Sequence, residues 1–212
     1  MTKMNKNQAS KLKTVVKQDL SAEQIDKLSD NIVLFLKNKH SQKNEEHKFK
    51  EEFNDLVNLY LYEHGLLDSV GLKDYILVDF IDRNRFLIKD RKSTGILFTN
   101  TILDLDISSD FDVLDFKTNT YGDYIEDFVA LHSISMNNVD LANLIVKKYF
   151  TTRDRKFFRL LAFYTAVFTI HLISLKERQS NELKKAKIEN LINYIYEVYE
   201  DFSVDIPLWI KK

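Results

Sequence analysis

The chain has no cysteine, one proline and four glycines in 212 residues. Without cysteine there are no disulfides, no zinc-thiolate centres and no thiol nucleophile, and the composition fits a reducing, cytoplasmic setting. With so few helix breakers, long helices are expected. Neither sign of charge dominates. Lys and Arg number 31 against 32 Asp and Glu, a formal net charge of −1, so no nucleic-acid partner is expected. Long apolar runs are also scarce. The longest, Leu160–Leu175, contains two Thr, a His and a Ser. It falls short of the ~20 apolar residues of a membrane span, so a buried core helix is expected and no span. The N-terminal stretch MTKMNKNQASKLKTVVKQDL is basic and lacks the apolar core of a signal peptide.

What is present is a large apolar and aromatic fraction, 44% and 12%, with 15 Phe and 10 Tyr. That is enough for one well-filled core. Residues 1–20 read as a flexible basic segment, and 21–212 as a single helical domain without repeat or linker. Ser21 and Gln24 in SAEQ match a capping box, and Ile25, Leu28, Ile32 and Phe35 follow at helical spacing. Lys37–Lys50 reads as a polar connection, followed by a helix carrying Phe49, Phe53, Leu56 and Tyr60 and ending near Gly65. A third helix is expected from about Leu72 to Lys89; its apolar start, YILVDFI, predicts a central position. Later helices are expected over about Asp123–Met136, Val139–Phe150, Asp154–Arg178 (capped by Thr151 or Thr152) and Asn181–Asp201, the last with Leu183 in its apolar set. Trp209 is expected to pack back on the domain. The five histidines show no ligand spacing and read as surface or core residues.

One stretch reads as β. In Ile102–Ile107, Leu103, Leu105 and Ile107 alternate with Asp104 and Asp106; Ser108-Ser109-Asp110 is turn chemistry; Phe111–Phe116 supplies a return strand. The expected hairpin spans about 96–116 and holds Asp104, Asp106, Asp110, Asp112 and Asp115. Two readings stand. Carboxylates of this kind can hold Mg²⁺ together with phosphate oxygens, which makes Asp112, Asp115 and Asp104 metal or ligand candidates. The same pattern also describes a solvated acidic strand. Charge is uneven elsewhere: Arg153, Arg155, Lys156 and Arg159 surround one acid, Asp154. Arg153, Arg155 and Lys156 are candidates for a partner surface, or for pairing within the domain.

Several segments resemble a known family. FDVLDF (Phe111–Phe116) is similar to the FDxIEF strand of the aminoglycoside/choline kinase-like phosphotransferases, in the bacterial branch often fused to an AAA-type domain. EDFVAL (Glu126–Leu131) resembles its DxAxL helix, and DLANLIVKKYFTTRDRKFFRLLAFY (Asp140–Tyr164) its later helical series. Counted back without a gap, TGILFTNTI (Thr94–Ile102) falls on the catalytic loop HGDLHxxNI. The resemblance implies a mainly α, kinase-like C-terminal lobe with one short hairpin. It also implies a degenerate site. Family members place a catalytic Asp and a Mg²⁺-holding Asn in that loop, and this chain has Ile96 and Thr101 there, while Asp112 keeps the metal-holding position. No Gly-rich loop and no strand-borne Lys precede it, so no N-terminal nucleotide lobe is expected.

Three functions follow as expectations. One is a non-catalytic, pseudokinase-type protein, with no cofactor, that binds a protein partner or a small ligand or forms a homo-oligomer. Another is an active phosphotransferase or metal-dependent phosphate enzyme that uses Mg²⁺ and ATP and takes its ATP contacts from a partner. The last is a helical interaction module unrelated to kinases.

Overall fold

The structure is a computed structural model, and it describes residues 9–44, 46–68, 71–97, 102–114, 120–150 and 154–211. Among those residues it is mainly α, as the sequence predicts: 66% helix, with eight α-helices and two small two-stranded sheets. In order these are β1 (Ser10–Lys11), α1 (Leu12–Val15), α2 (Ala22–His40), α3 (Phe49–Gly65), α4 (Leu72–Asn84), β2 (Thr94–Ile96), β3 (Asp106–Ile107), β4 (Thr120–Gly122), α5 (Leu131–Ser135), α6 (Val139–Tyr149), α7 (Arg155–Arg178) and α8 (Glu182–Val198). Short 3₁₀ turns cover Arg85–Ile88, Ile102–Asp104 and Tyr124–Ala130. The chain divides into two compact units. One comprises Met1–Glu45 and Ser93–Arg153, the other Glu46–Lys92 and Asp154–Lys212.

In the first unit α2 packs on α6. Ser21 and Gln24 close the capping box at the start of α2, each side chain meeting the other's backbone N–H. The helix buries Leu28, Ile32, Leu36 and His40, one residue every four, so its apolar stripe ends on a polar side chain. The strand expected over Ile102–Ile107 is only partly there. Ile102 and Leu105 are both buried and lie three residues apart, which suits the 3₁₀ turn at Ile102–Asp104. Asp106–Leu114 does form a tight hairpin. Leu114 N–H donates to Asp106 O at 2.9 Å, Ser108 N–H donates to Asp112 O at 3.0 Å, and Phe111 takes the left-handed turn at φ 62°. Ile96 belongs to a different pairing: β2 runs antiparallel to β4, with Ile96 opposite Thr120. Within the N-terminal segment expected to be flexible, Ser10–Lys11 pairs with β3, and Leu12, Val15 and Val16 are buried.

In the second unit α3, α4 and α8 all pack on α7. Asp154 caps α7 by accepting from Lys156 N–H at 2.9 Å; the expected caps Thr151 and Thr152 lie outside the described residues. Among the described residues α7 alone is long and apolar enough to cross a membrane, and most of that window is buried inside the protein. The reading of α4 as central needs correcting. Leu77, Phe80 and Ile81 are buried, but Leu72, Tyr75 and Ile76 are exposed, as is Leu183 of α8. After α8 the backbone turns through three left-handed residues, Glu200, Asp201 and Phe202 (φ 48°, 52° and 62°). Each is unfavourable by roughly 1–2 kcal/mol for a side-chain-bearing residue. Phe202 compensates by burial among Phe80, Tyr196 and Tyr199. Trp209 is buried, as expected.

Candidate functional site

The polar interior of the first unit gathers where α2 ends and β2 begins. Gly95 lies so close to the end of α2 that a Cβ there would meet Lys39 O at 2.7 Å. Its N–H donates to Gln42 O at 2.9 Å. In the paired strand Gly122, opposite Thr94, leaves room for Ile96: a Cβ at Gly122 would collide with the Ile96 Cδ1. Ile96 is 2% exposed. The position on which the catalytic Asp of the resembled family would fall is thus a core aliphatic residue packed against a strand.

The turn after β4 then delivers three buried acids. Asp123 caps it, accepting from Ile125 N–H at 3.2 Å and donating its own N–H to Glu126 Oε1 at 2.7 Å. Burial, with the charge of Asp123 adding, pushes the Glu126 carboxyl well above the usual carboxylate range. Asp127 points inward. Both of its oxygens accept from Leu97 N–H, at 2.9 and 3.0 Å, and Oδ2 also faces His40 Nε2 at 2.9 Å. His40 Nδ1 is 2.8 Å from the Tyr149 hydroxyl. Asp127 and His40 are both buried. With Asp127 as acceptor, His40 carries its proton on Nε2, and Tyr149 O–H donates to Nδ1. Tyr124, Phe128 and Tyr149 surround the imidazole at 5.6–6.2 Å.

The electrostatics follow from burial. It raises Asp127, against the opposing pull of His40 and the Leu97 N–H. It also lowers the buried Lys39 amine, against the charge of Asp127, and raises the Tyr149 phenol, with Tyr124 and Asp127 adding. Both carboxylate oxygens and both imidazole nitrogens are engaged within the protein. Chemically the trio is a clamp joining α2, the residue after β2, the Tyr124–Ala130 turn and α6. A general base must come within hydrogen-bond reach of a substrate proton, and Asp127 and His40 are buried with their polar atoms turned to protein partners.

The residues singled out by sequence are placed differently. Asp112 is exposed, and its Oδ1 accepts from Asn31 Nδ2 at 3.1 Å. Asp104 lies in the 3₁₀ turn, where its carbonyl accepts from Lys11 Nζ at 2.8 Å; the same ammonium is 3.4 Å from Asp106. Asp115, Thr101 and Arg153 fall outside the described residues. Among the described residues no three His, Asp or Glu side chains gather as a metal-binding group. In the second unit, Arg155 is paired with Asp205 at 3.4 Å, and Lys156 is exposed on the first turn of α7. Sequence reading missed His40, Asp127 and Tyr149. Comparison with protein-family models, with curated proteins and with solved structures finds no match for this chain.

Proposed function

We propose that the chain is a non-catalytic, kinase-like protein of the cytoplasm that acts by binding a protein partner or a small ligand. The observation that carries this reading is the fate of the loop aligned with HGDLHxxNI. Its base position is Ile96, buried against Gly122. The next residue, Leu97, is held through its N–H by Asp127, from the segment that resembles DxAxL. Two segments that carry the resemblance therefore touch, and their contact is structural. Losing a general base typically removes ~10²–10⁴ in rate, and the position that would supply it holds a buried aliphatic side chain.

The test is phosphotransfer from ATP with Mg²⁺ to a panel of aminoglycoside, choline and sugar acceptors. The expected result is no turnover above the protein-free rate. Turnover that disappears in Asp112→Ala would overturn the reading in favour of an active enzyme.

A further inference from the structure

The second unit exposes an apolar face, and the geometry points to a second copy of this chain as its occupant. Helices α3 and α4 both pack on α7, and side chains link the two segments: Arg85 Nη1 donates to Asn58 Oδ1 at 2.8 Å, and His64 approaches Asp74. Their inner stripes, Phe53, Val57 and His64 on one and Leu77, Phe80 and Ile81 on the other, are buried. Their outer stripes are apolar as well. Leu59, Tyr62 and Leu66 recur at helical spacing on α3, and Leu72, Tyr75 and Ile76 on α4. These six side chains are between 38% and 78% exposed.

Area argues for a stable interface. At ~200 Å² for a large side chain in the open, the six leave about 700 Å² uncovered. The largest apolar patch on a monomer is typically ~300–600 Å². One partner's share of a standard interface is about 800 Å².

Charge argues for an identical partner. A two-fold interface sets each patch against itself, so a rim of one sign would repel its own copy. Along α4 the rim is neutralised locally: Arg83 pairs with Asp79 at 2.6 Å, Arg85 with Asp82 at 3.1 Å, and Lys73 with Asp201 at 2.6 Å. The whole chain carries a formal net charge of −1, and a near-zero charge favours self-association. This inference goes beyond the kinase-like reading and does not depend on the loop at Ile96.

The experiment is sedimentation velocity on the full chain at ~100 µM, far above a micromolar Kd. The expected mass is twice 25.1 kDa. Tyr62→Glu and Tyr75→Glu should each halve it while the far-ultraviolet circular dichroism stays that of the folded wild type, and Leu34→Glu, at an exposed site on α2, should leave it unchanged. Because the chain has no cysteine, Leu59→Cys, Tyr62→Cys and Leu66→Cys each supply a sole thiol should a glutamate variant fail to fold. At least one should give a disulfide-linked dimer on mild oxidation, and Leu34→Cys none. A monomeric wild type, a dimer that survives both glutamate variants, or cross-linking only at Leu34→Cys would overturn the proposal. None of these outcomes bears on phosphotransfer, so the two proposals fail separately.

Discussion

Each compact unit brings one aspartate, one histidine and one tyrosine together, and the two trios are wired differently. In the first, the histidine is central: His40 meets Asp127 at 2.9 Å and Tyr149 at 2.8 Å, and Asp127 takes the Leu97 N–H as well. In the second, the aspartate is central. Asp74 accepts from Gly71 N–H at 2.8 Å and from the Tyr196 hydroxyl at 3.4 Å, while His64 Nε2 stands 3.8 Å away, too far for a hydrogen bond. His64 Nε2 is buried without a hydrogen-bond partner. The same three residue types thus make a closed clamp in one unit and an open cluster in the other. Burial alone would raise Asp74, but the His64, Gly71 and Tyr196 contacts together outweigh it and leave that carboxyl lowered. Asp127 is more deeply buried, and there burial prevails. Burial depth, rather than the list of partners, decides the direction.

The largest expected difference between the trios lies at the two aspartates. Asp127→Ala leaves His40 and the Leu97 N–H buried without an acceptor, and should destabilise by about 2–6 kcal/mol, at about 1–3 kcal/mol for each stranded donor. Asp74→Ala removes partly exposed contacts and should lose about 1 kcal/mol. Urea midpoints of the two variants measure this directly, and equal losses would erase the distinction.

Next in size is a pH effect in the first unit. His132 is buried, which lowers its pKa from 6.5 to about 3. The unfolded chain takes up that proton below pH 6.5 and the folded chain does not. The stabilisation is therefore complete above pH 6.5 and declines by about 1.4 kcal/mol per pH unit on the way down to pH 3. Raised Asp127 and Glu126 act in the opposite sense, favouring the fold at low pH and losing that contribution as pH rises through their folded values. Asp74, being lowered, contributes above its ordinary 3.8 and loses that contribution only as pH falls through its folded value. Denaturation of wild type and His132→Gln between pH 6.5 and 4 should give a flatter profile for the variant. Parallel profiles would show that His132 is not the source.

The smallest contrast is between the tyrosines. Tyr149→Phe strands His40 Nδ1 in the interior, a loss of about 1–3 kcal/mol. Tyr196→Phe removes one long hydrogen bond, a loss of about 0.5–1.5 kcal/mol. Thermal melts of the pair check the order, and the reverse order would mean that the second trio is the tighter one.

Local signals in the sequence were read well, and long-range ones were not. Ser21 and Gln24 announced α2, and the apolar run after Asp154 announced α7, because capping and periodicity are contained within a few residues. Ile102–Ile107 misled. Its alternation of Leu and Asp looks like a strand, but the residues that reach the core are Ile102 and Leu105, at 3₁₀ spacing. The clamp was harder still, since His40 and Asp127 are 87 positions apart. Two hints were available. The buried series Leu28, Ile32, Leu36 continues on to His40 at the same step, so the connection drawn from Lys37 began too early. Asp127 sits among Ile125, Phe128 and Val129, where a surface acid is out of place. Both become legible once each polar residue in an apolar stripe is asked for a buried partner.

The central claim is that the loop around Ile96 is architecture rather than a nucleotide-handling site. Thermal unfolding of the intact chain with and without millimolar Mg²⁺ and ATP tests it most directly. A ligand at 100 times its Kd would add about 2.7 kcal/mol, a rise of roughly 5–10 °C for a chain of this size. The account predicts no shift, and a reproducible rise that Asp112→Ala abolishes would contradict it.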